Sequence, residues 1–584
     1  MSRLALPVAF VSYALAALVL FVMRQRFLAE ELWGHLPLAL YFTLWLGTVA
    51  VALRRAEPLQ LRRAYLSTLS GVMLGFGFPG YLPAPFLLLF AFVPLLLVQR
   101  DVLGTEGHRF GPLRWYAFNA FFLYNFLATF WVTNTTFAAG IVAVVVNSFL
   151  MLLAFRLYHW TLHRSPNLGF LALAAFWMSF EFLHYHWDLN WPWLTLGNGF
   201  AQFPALVQWY EWTGVFGGTL WILGVNWLAF RWLTVRPKPL PLRPAALILV
   251  PALLSLVRYA TYDIPATETL TVAAIQPNFE PHYEKFGVDP RSLIDTFTEL
   301  TLAAAGAGPL DYVIYPETSF GGTEERDPLA GRFVSTLARN FRDLPADYLF
   351  TGVTLVNFFA PGEPPSAAAR YRRLRDGSRE AYEVINGVLQ LDLADGDFQT
   401  YRKGVFVPGA ENFPFNDLLF FAKPIVDGLG GSVAGLGTQP ERTVLRGRRA
   451  AIAPVICYES VFGEYFTDYV KAGAQAAFVV TNDGWWDNTA GHRQHLYLSS
   501  LRAVETRRAI VRAANMGNCA FISQRGEVLA RTDYGRIGYL RGEVALNNTT
   551  TLYVRFGDVL ARLALLLAAM MLLTNVARKL RKAD

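Results

Sequence analysis

Three polar residues close apolar, strand-like runs. Glu317 ends DYVIYPE, Lys403 ends LDLADGDFQTYRK and Cys457 ends AIAPVIC. The ends of strands in open α/β sheets are where catalytic groups collect. A free thiol titrates near about 8.5, so little of it is thiolate at neutral pH. It needs a base to take its proton, and a cation to favour charge on sulfur or on a developing oxyanion. A carboxylate and an ammonium are the residue types that supply those functions. Singly, each residue is weak evidence: a cysteine in an apolar strand usually packs, and a Glu or Lys usually solvates. The combination carries the reading.

The elements that would position these groups divide the chain in two. Over its 584 residues, 54% are apolar and 16% charged, against about 25% charged in a soluble domain, so much of the chain reads as lipid-embedded. Apolar runs long enough, or nearly so, to cross a bilayer lie at 5–23, 35–53, 65–79, 83–99, 114–134, 136–158, 168–183, 211–234, 243–260 and 556–577. The first is longer than the core of a signal peptide and reads as a span. The two short runs around GFGFPGYLPAPF read as a helix pair or a re-entrant pair. Basic stretches at 53–63, 99–114, 156–164 and 231–243 fall at alternate loops. By the positive-inside rule these loops are cytoplasmic, residues 261–555 lie outside the inner membrane and the tail ARKLRKAD returns inside. The formal charge of +7 is scattered, which argues for topology and against nucleic-acid binding.

Between the last two runs the pattern changes. Short β-type runs (TLTVAAIQ, DYVIYPE, DYLFTGVTLV, AIAPVICYE, AAFVVTND, CAFISQRGEV) alternate with helical stretches such as PRSLIDTFTELTLAAAG and QHLYLSSLRAVETRRAIVRAA. That alternation predicts a buried α/β sheet. The segment 358–379 has loop composition. The expected organisation is an N-terminal helix pair over 1–60, a helical bundle over 61–261, a catalytic domain over 262–555, and a helix with a basic tail over 556–584.

The local motifs resemble the nitrilase superfamily, which uses a Glu-Lys-Cys triad and a covalent acyl intermediate. YPET is similar to its W/Y-P-E motif, YRKGVFVPGAENFPF to its Y-x-K-x-x-L-V-P-F-G-E motif, and ICYE to its nucleophile motif. TNDGWWDNTAGHRQH and RAVETRRAIVRAANMGNCAFI follow in the family's order. With the membrane segments, the chain most resembles the superfamily's membrane-bound branch, the apolipoprotein N-acyltransferases. GFGFPGYLPAPFLLLFAFVPLL, FWVTNT, EFLHYHWDLNWPWLTLGN and TLYVRFGD are similar to that branch's bundle segments. The likeness covers about 65–577, leaving 5–53 as an added helix pair.

This resemblance implies a multi-span α-helical membrane bundle plus a periplasmic nitrilase-like α-β-β-α sandwich. It implies Glu317 as base, Lys403 as catalytic lysine and Cys457 as nucleophile. Supporting roles fall on Glu411, which lies eight residues after Lys403, on Tyr458 and Glu459, and on Asn386. The implied reaction is ping-pong: a membrane phospholipid, expected to be phosphatidylethanolamine, loads a Cys457 thioester. The chain then passes to the α-amine of an apolipoprotein's diacylglyceryl cysteine. No metal, organic cofactor or nucleic acid is implied. Phe286 stands where the family has Trp, VPGAE replaces V-P-F-G-E and GWWDN replaces A-W-F-G-D.

Other features read as structural. His492 and His495 have a metal-like spacing with no third ligand nearby, and His495 is expected to hydrogen-bond within its loop. Cys519 is expected to be a buried small residue; a Cys457–Cys519 disulfide would abolish the chemistry. Glu505 and Arg508 are expected to form an ion pair. Trp187, Trp191, Trp193, Trp209 and Trp212 are expected at the membrane interface. The rivals are a membrane-tethered amidase with water as acceptor, and a non-catalytic scaffold.

Overall fold

The computed structural model of the chain describes residues 2–107, 109–235, 240–263, 268–285, 287–412, 415 and 435–581. Its N-terminal part is helical: α1 (Ser2–Leu28), α2 (Leu36–Ala52), α3 (Pro58–Gly77), α4 (Phe92–Thr105), α5 (Phe110–Thr129), a single turn α6 (Val132–Thr135), α7 (Phe137–Arg164), α8 (Gly169–Leu183), α9 (Tyr210–Thr234) and α10 (Leu242–Thr261). Among the described residues, seven helical segments are long and apolar enough to cross a membrane: Leu4–Leu28, Pro85–Thr105, Phe137–Arg164, Pro166–Leu183, Tyr210–Thr234, Leu242–Thr261 and the C-terminal Val559–Leu580. The other three of the ten apolar runs read from sequence are α2, α3 and α5. α2 has 17 residues, and α3 and α5 carry Arg62, Arg63, Arg114 and Asn119 within their 20. The run at 83–99 is a 3₁₀ turn, Pro85–Leu89, leading into α4.

Lipid tails are as apolar as leucine, so polar contacts and close packing hold such helices together. Asn226 Oδ1 accepts from the Phe92 amide at 2.8 Å, joining α9 to α4. Trp45 Nε1 donates to Asn119 Oδ1 at 2.8 Å, and the Tyr41 and Thr133 hydroxyls lie 3.0 Å apart, tying α2 to α5 and α6. At Gly214 (φ +61°) α9 kinks, a left-handed conformation that costs glycine little.

Residues 269–545 form two sheets. The strands are β1 (Thr269–Gln276), β2 (Leu310–Glu324), β3 (Ala346–Phe358), β4 (Arg370–Arg373), β5 (Arg379–Asp392), β6 (Phe398–Arg402), β7 (Leu445–Arg446), β8 (Ala451–Ile456), β9 (Ala476–Thr481), β10 (Ile510–Ala514), β11 (Ala520–Ile522), β12 (Val528–Arg531) and β13 (Gly538–Ala545). One sheet runs β13-β1-β2-β3-β5-β4 with β6 on β5, and the other β12-β11-β10-β9-β8-β7. Their inner faces share one core in which Phe478 of β9 packs on Tyr312 of β2 and Phe350 of β3. Burying one such ring stabilises by about 2–3 kcal/mol. Helices α11 (Pro290–Ala305) and α12 (Arg332–Asn340) cover the first sheet through Phe297, Val334 and Leu337. Helices α13 (Gly463–Lys471) and α14 (Ala490–Thr506) belong to the second sheet's side, followed by α15 (Leu552–Phe556) and α16 (Val559–Leu580). The result is the expected α-β-β-α sandwich beside a helical bundle.

Two local expectations change. Helix α14 stops at Arg507, which is left-handed (φ +52°), so IVRAA is strand β10 and not a continuation of the helix. The loop-like stretch 358–379 contains β4, which pairs with β5 in an exposed hairpin.

Candidate active site

Glu317 sits in an irregularity of β2. The strand pairs with β3 at Tyr315–Thr351 and next at Phe320–Val353, so four residues of β2 face the single Gly352. An alanine methyl at Gly352 would lie 2.6 Å from Glu317 Cα and from the Pro316 carbonyl oxygen, so only glycine admits this close approach. Thr318, next in line, is left-handed at φ +49°. The bulge turns the Glu317 carboxylate onto strands from further along the chain.

Lys403 follows β6, which pairs with β5, and its amide donates to the Asn386 carbonyl at 2.9 Å. Its buried ammonium donates to Glu317 Oε1 at 3.1 Å and to Glu411 Oε1 at 2.7 Å. Asn386 Nδ2 donates to the same two carboxylates, at 2.8 Å and 3.1 Å. Glu411 Oε2 accepts from the Val407 amide at 2.9 Å, which folds the VPGAE turn back over the lysine. Lys403 lies well above the usual lysine range: burial opposes its charge, but Glu317 and Glu411 outweigh that. Burial pushes Glu317 up, while Lys403, Asn386 and Lys285 bring it down to below its ordinary value.

Cys457 occupies the junction between β8 and a 3₁₀ turn, Cys457–Val461, at φ +48°. A non-glycine residue in this region costs about 1–3 kcal/mol, and such strain gathers at nucleophile turns. The turn is held from both sides. Fully buried Glu459 accepts from the Ile456 amide at 2.8 Å and from the Gly404 amide at 2.7 Å, with the Tyr401 hydroxyl at 3.0 Å. It therefore clamps the cysteine turn to the residue after Lys403. On the other side His495 Nε2 lies 3.1 Å from the Cys457 carbonyl and 2.9 Å from Ser460 Oγ, while its Nδ1 lies 2.8 Å from Asp483 Oδ1. Arg512 donates to Asp483 at 2.9 Å. Burial raises the Cys457 thiol strongly; Glu317 raises it further and Lys403 lowers it. The site thus favours the neutral thiol over the thiolate.

Of the seven sequence-derived residues, Glu317, Lys403, Asn386 and Glu411 form one hydrogen-bonded network and Glu459 ties the Cys457 turn to it through the Gly404 amide; Tyr458 instead donates to the Asn190 carbonyl of the bundle's 184–191 loop at 2.9 Å. Phe286 lies outside the described residues. Cys457 and Cys519 are both free. His492 bonds Asn518 at 2.9 Å, and among the described residues no group of three His, Cys, Asp or Glu side chains is placed to hold a metal ion.

Two expectations are corrected. Glu505 pairs with Arg502 at 2.7 Å, because Arg508 lies beyond the end of α14; Arg508 donates instead to the Ala474 and Thr549 carbonyls. Trp193 is not at a membrane surface. It is buried with Trp131, Trp191 and Trp486 where the bundle meets the sandwich. Gln494 of α14 fills that junction: it accepts from Trp193 Nε1 (2.7 Å) and Trp131 Nε1 (3.1 Å) and donates to the Pro79 and Ala128 carbonyls. Sequence reasoning also missed Lys285, whose ammonium donates to the Glu317 carbonyl at 3.0 Å. Its only sequence signal is its position in the loop after the first strand.

A family model described as Apolipoprotein N-acyltransferase N-terminal domain matches residues 70–228, and one described as Carbon-nitrogen hydrolase matches residues 271–553. The apolipoprotein N-acyltransferase of Chlorobaculum tepidum is 28% identical over 534 residues, covering 88% of this chain and 97% of that protein. That of Geobacter metallireducens is 28% identical over 520 residues, covering 86% and 93%. That of Azotobacter vinelandii is 30% identical over 432 residues, covering 71% and 75%.

Proposed function

We propose, for a chain that belongs to the apolipoprotein N-acyltransferase family, that Cys457 carries the acyl group between a membrane phospholipid and the α-amine of a lipoprotein. The activity that goes with the family is N-acylation of lipoproteins. The observation that carries the assignment to these residues is the Glu317–Lys403–Glu411–Asn386 network, whose carboxylate and ammonium both act electrostatically on the Cys457 thiol.

In the first half-reaction the Cys457 proton passes to Glu317 as sulfur attacks the carbonyl carbon of a phospholipid ester. Lys403 offsets the charge of the tetrahedral oxyanion. The C–O bond breaks, the departing glycerol oxygen takes the proton from Glu317, and lysophospholipid leaves a thioester. In the second half the diacylglyceryl cysteine's amine attacks the thioester carbonyl and gives a proton to Glu317. The C–S bond breaks, and the proton returns to sulfur. Glu411 and Asn386 fix the lysine and the base. Glu459 holds the Cys457 turn against the Lys403 strand.

Both substrates keep their acyl chains in the bilayer, so the site belongs at a membrane surface. The basic loops support a location in the bacterial inner membrane with residues 262–555 facing the periplasm. Phosphatidylethanolamine is the donor we propose.

The test is intact-protein mass spectrometry of the purified chain with phosphatidylethanolamine and no acceptor, beside Cys457→Ala. The expected result is a hydroxylamine-labile acyl adduct on Cys457, absent from the variant and discharged by a diacylglyceryl-cysteine peptide that gains the chain. An adduct discharged only by water indicates a hydrolase. No adduct with a free Cys457 thiol defeats the reading.

A further inference from the structure

The mechanism above uses one ammonium, and the site holds a second. After β1 the chain runs through a loop fixed at several points. Asn515 Nδ2, just past β10, donates to the Phe279 carbonyl at 2.7 Å. Glu280 Oε1 lies 2.8 Å from His282 Nδ1, and His282 Nε2 lies 3.1 Å from the Asn134 carbonyl of α6 in the bundle. Three residues on, Lys285 Nζ donates to the Glu317 carbonyl at 3.0 Å and to Thr318 Oγ1 at 2.8 Å.

Both acceptors belong to the bulge that aims the catalytic carboxylate. The irregular pairing of β2 with β3 takes Glu317 out of the ladder, and a main-chain carbonyl without a ladder partner needs another donor. A neutral side chain could supply one. A lysine brings a charge as well, and enclosing a charge is costly unless the site uses it. Lys285 keeps part of its surface exposed, yet burial lowers its ammonium to about 8, with Glu317 and Cys457 acting in the opposite direction. The lysine therefore feels both the base and the nucleophile. The other groups acting on Cys457 are Lys403, Glu317 and Asp483, with Glu411 acting through Lys403 and His495 on the Cys457 carbonyl.

We propose that Lys285 is a positioning residue for the acyl transfer, which pins the Glu317–Thr318 bulge and adds a second positive charge beside Glu317 and Cys457 as the thiolate forms. The proposal rests on the Glu317–Lys403–Cys457 reading above.

The experiment follows the rate of Cys457 alkylation by iodoacetamide near neutral pH, below the titration of Lys285, with the adduct mapped by peptide, in the full-length detergent-solubilised chain without lipid. Lys285→Gln keeps a donor and removes the charge. Its alkylation rate is expected to fall by about tenfold, as for a thiol moved up by about one unit, and its acyl-transfer kcat to fall by about tenfold with KM little changed. Lys285→Arg restores the charge and is expected to bring the rate most of the way back. Lys285→Met is the second neutral variant should Lys285→Gln fold poorly. An unchanged alkylation rate in a folded neutral variant overturns the proposal. So does failure of both neutral variants to fold while Lys285→Arg folds, which would leave Lys285 a structural tie. Because alkylation needs no donor or acceptor, absence of an acyl adduct on wild-type Cys457 would defeat the acyl-transfer reading separately.

Discussion

Lys403 lies closer to Glu411, at 2.7 Å, than to Glu317, the proposed base, at 3.1 Å. Two carboxylates share one ammonium, so the Glu411 charge offsets part of the pull by which Lys403 holds Glu317 below its ordinary value. Removing Glu411 gives the whole ammonium to Glu317 and weakens it as a base. Glu411→Gln is therefore expected to lower kcat by about 100-fold, within the range of a general base, while the phospholipid KM changes little. Steady-state transfer to a diacylglyceryl-cysteine peptide measures both.

Gly352 is the floor of the Glu317 bulge. A methyl there meets the Pro316 carbonyl and Glu317 Cα at 2.6 Å, with main chain on both sides and no side chain free to swing away. Gly352→Ala is expected to destabilise the sandwich by about 1–3 kcal/mol and to lose acylation more severely than stability. Thermal unfolding in detergent and adduct formation on Cys457, run on the same sample, check the two effects. A fully active Gly352→Ala chain would contradict the assigned geometry.

His492 is buried, which lowers it from 6.5 to about 4. The unfolded chain then binds more protons than the folded one between those values. This contribution to stability is complete above pH 6.5 and is lost as pH falls towards 4, amounting to about 3 kcal/mol at the low end. His492→Gln is expected to flatten the fall in melting temperature across that window, and a melting series at half-unit pH intervals reads it.

Gln494 satisfies two indoles and two bundle carbonyls. Gln494→Leu leaves the buried Trp193 Nε1 with no acceptor, and each such orphan costs about 1–3 kcal/mol. The expected consequence is early separation of the sandwich from the bundle. Limited proteolysis should then release the sandwich from the bundle at lower temperature than in the wild type.

Glu317, Lys403 and Cys457 could be singled out because each closes a short motif, and Asn386 and Glu411 followed only from the family resemblance; the structure brings Glu317, Lys403, Asn386 and Glu411 into hydrogen-bonding contact. Lys285 was not legible, since a lysine among Pro, Glu and Tyr in a loop looks like any solvated charge; only the bulge in β2 shows what it serves. Arg508 was paired with Glu505 on helical spacing, but the left-handed Arg507 ends the helix first, and no residue type announces that turn. Trp193 was read with the membrane belt because aromatic composition alone cannot tell a lipid surface from an interface between two parts of one chain; Trp212 does stay exposed.

Helix α16 packs on α8 and α7, with Asn575 Nδ2 donating to Thr161 Oγ1 at 2.8 Å and Ala561, Ala564 and Ala568 buried on its inner face. Its place in the bundle is thus set by helices made some four hundred residues earlier. At about 5–20 residues per second, the groove it fills stays open for tens of seconds while the sandwich is being made. The order of synthesis makes the last helix a keystone: until it seats, Thr161 waits without this partner, and the sandwich has been made above an unfinished base.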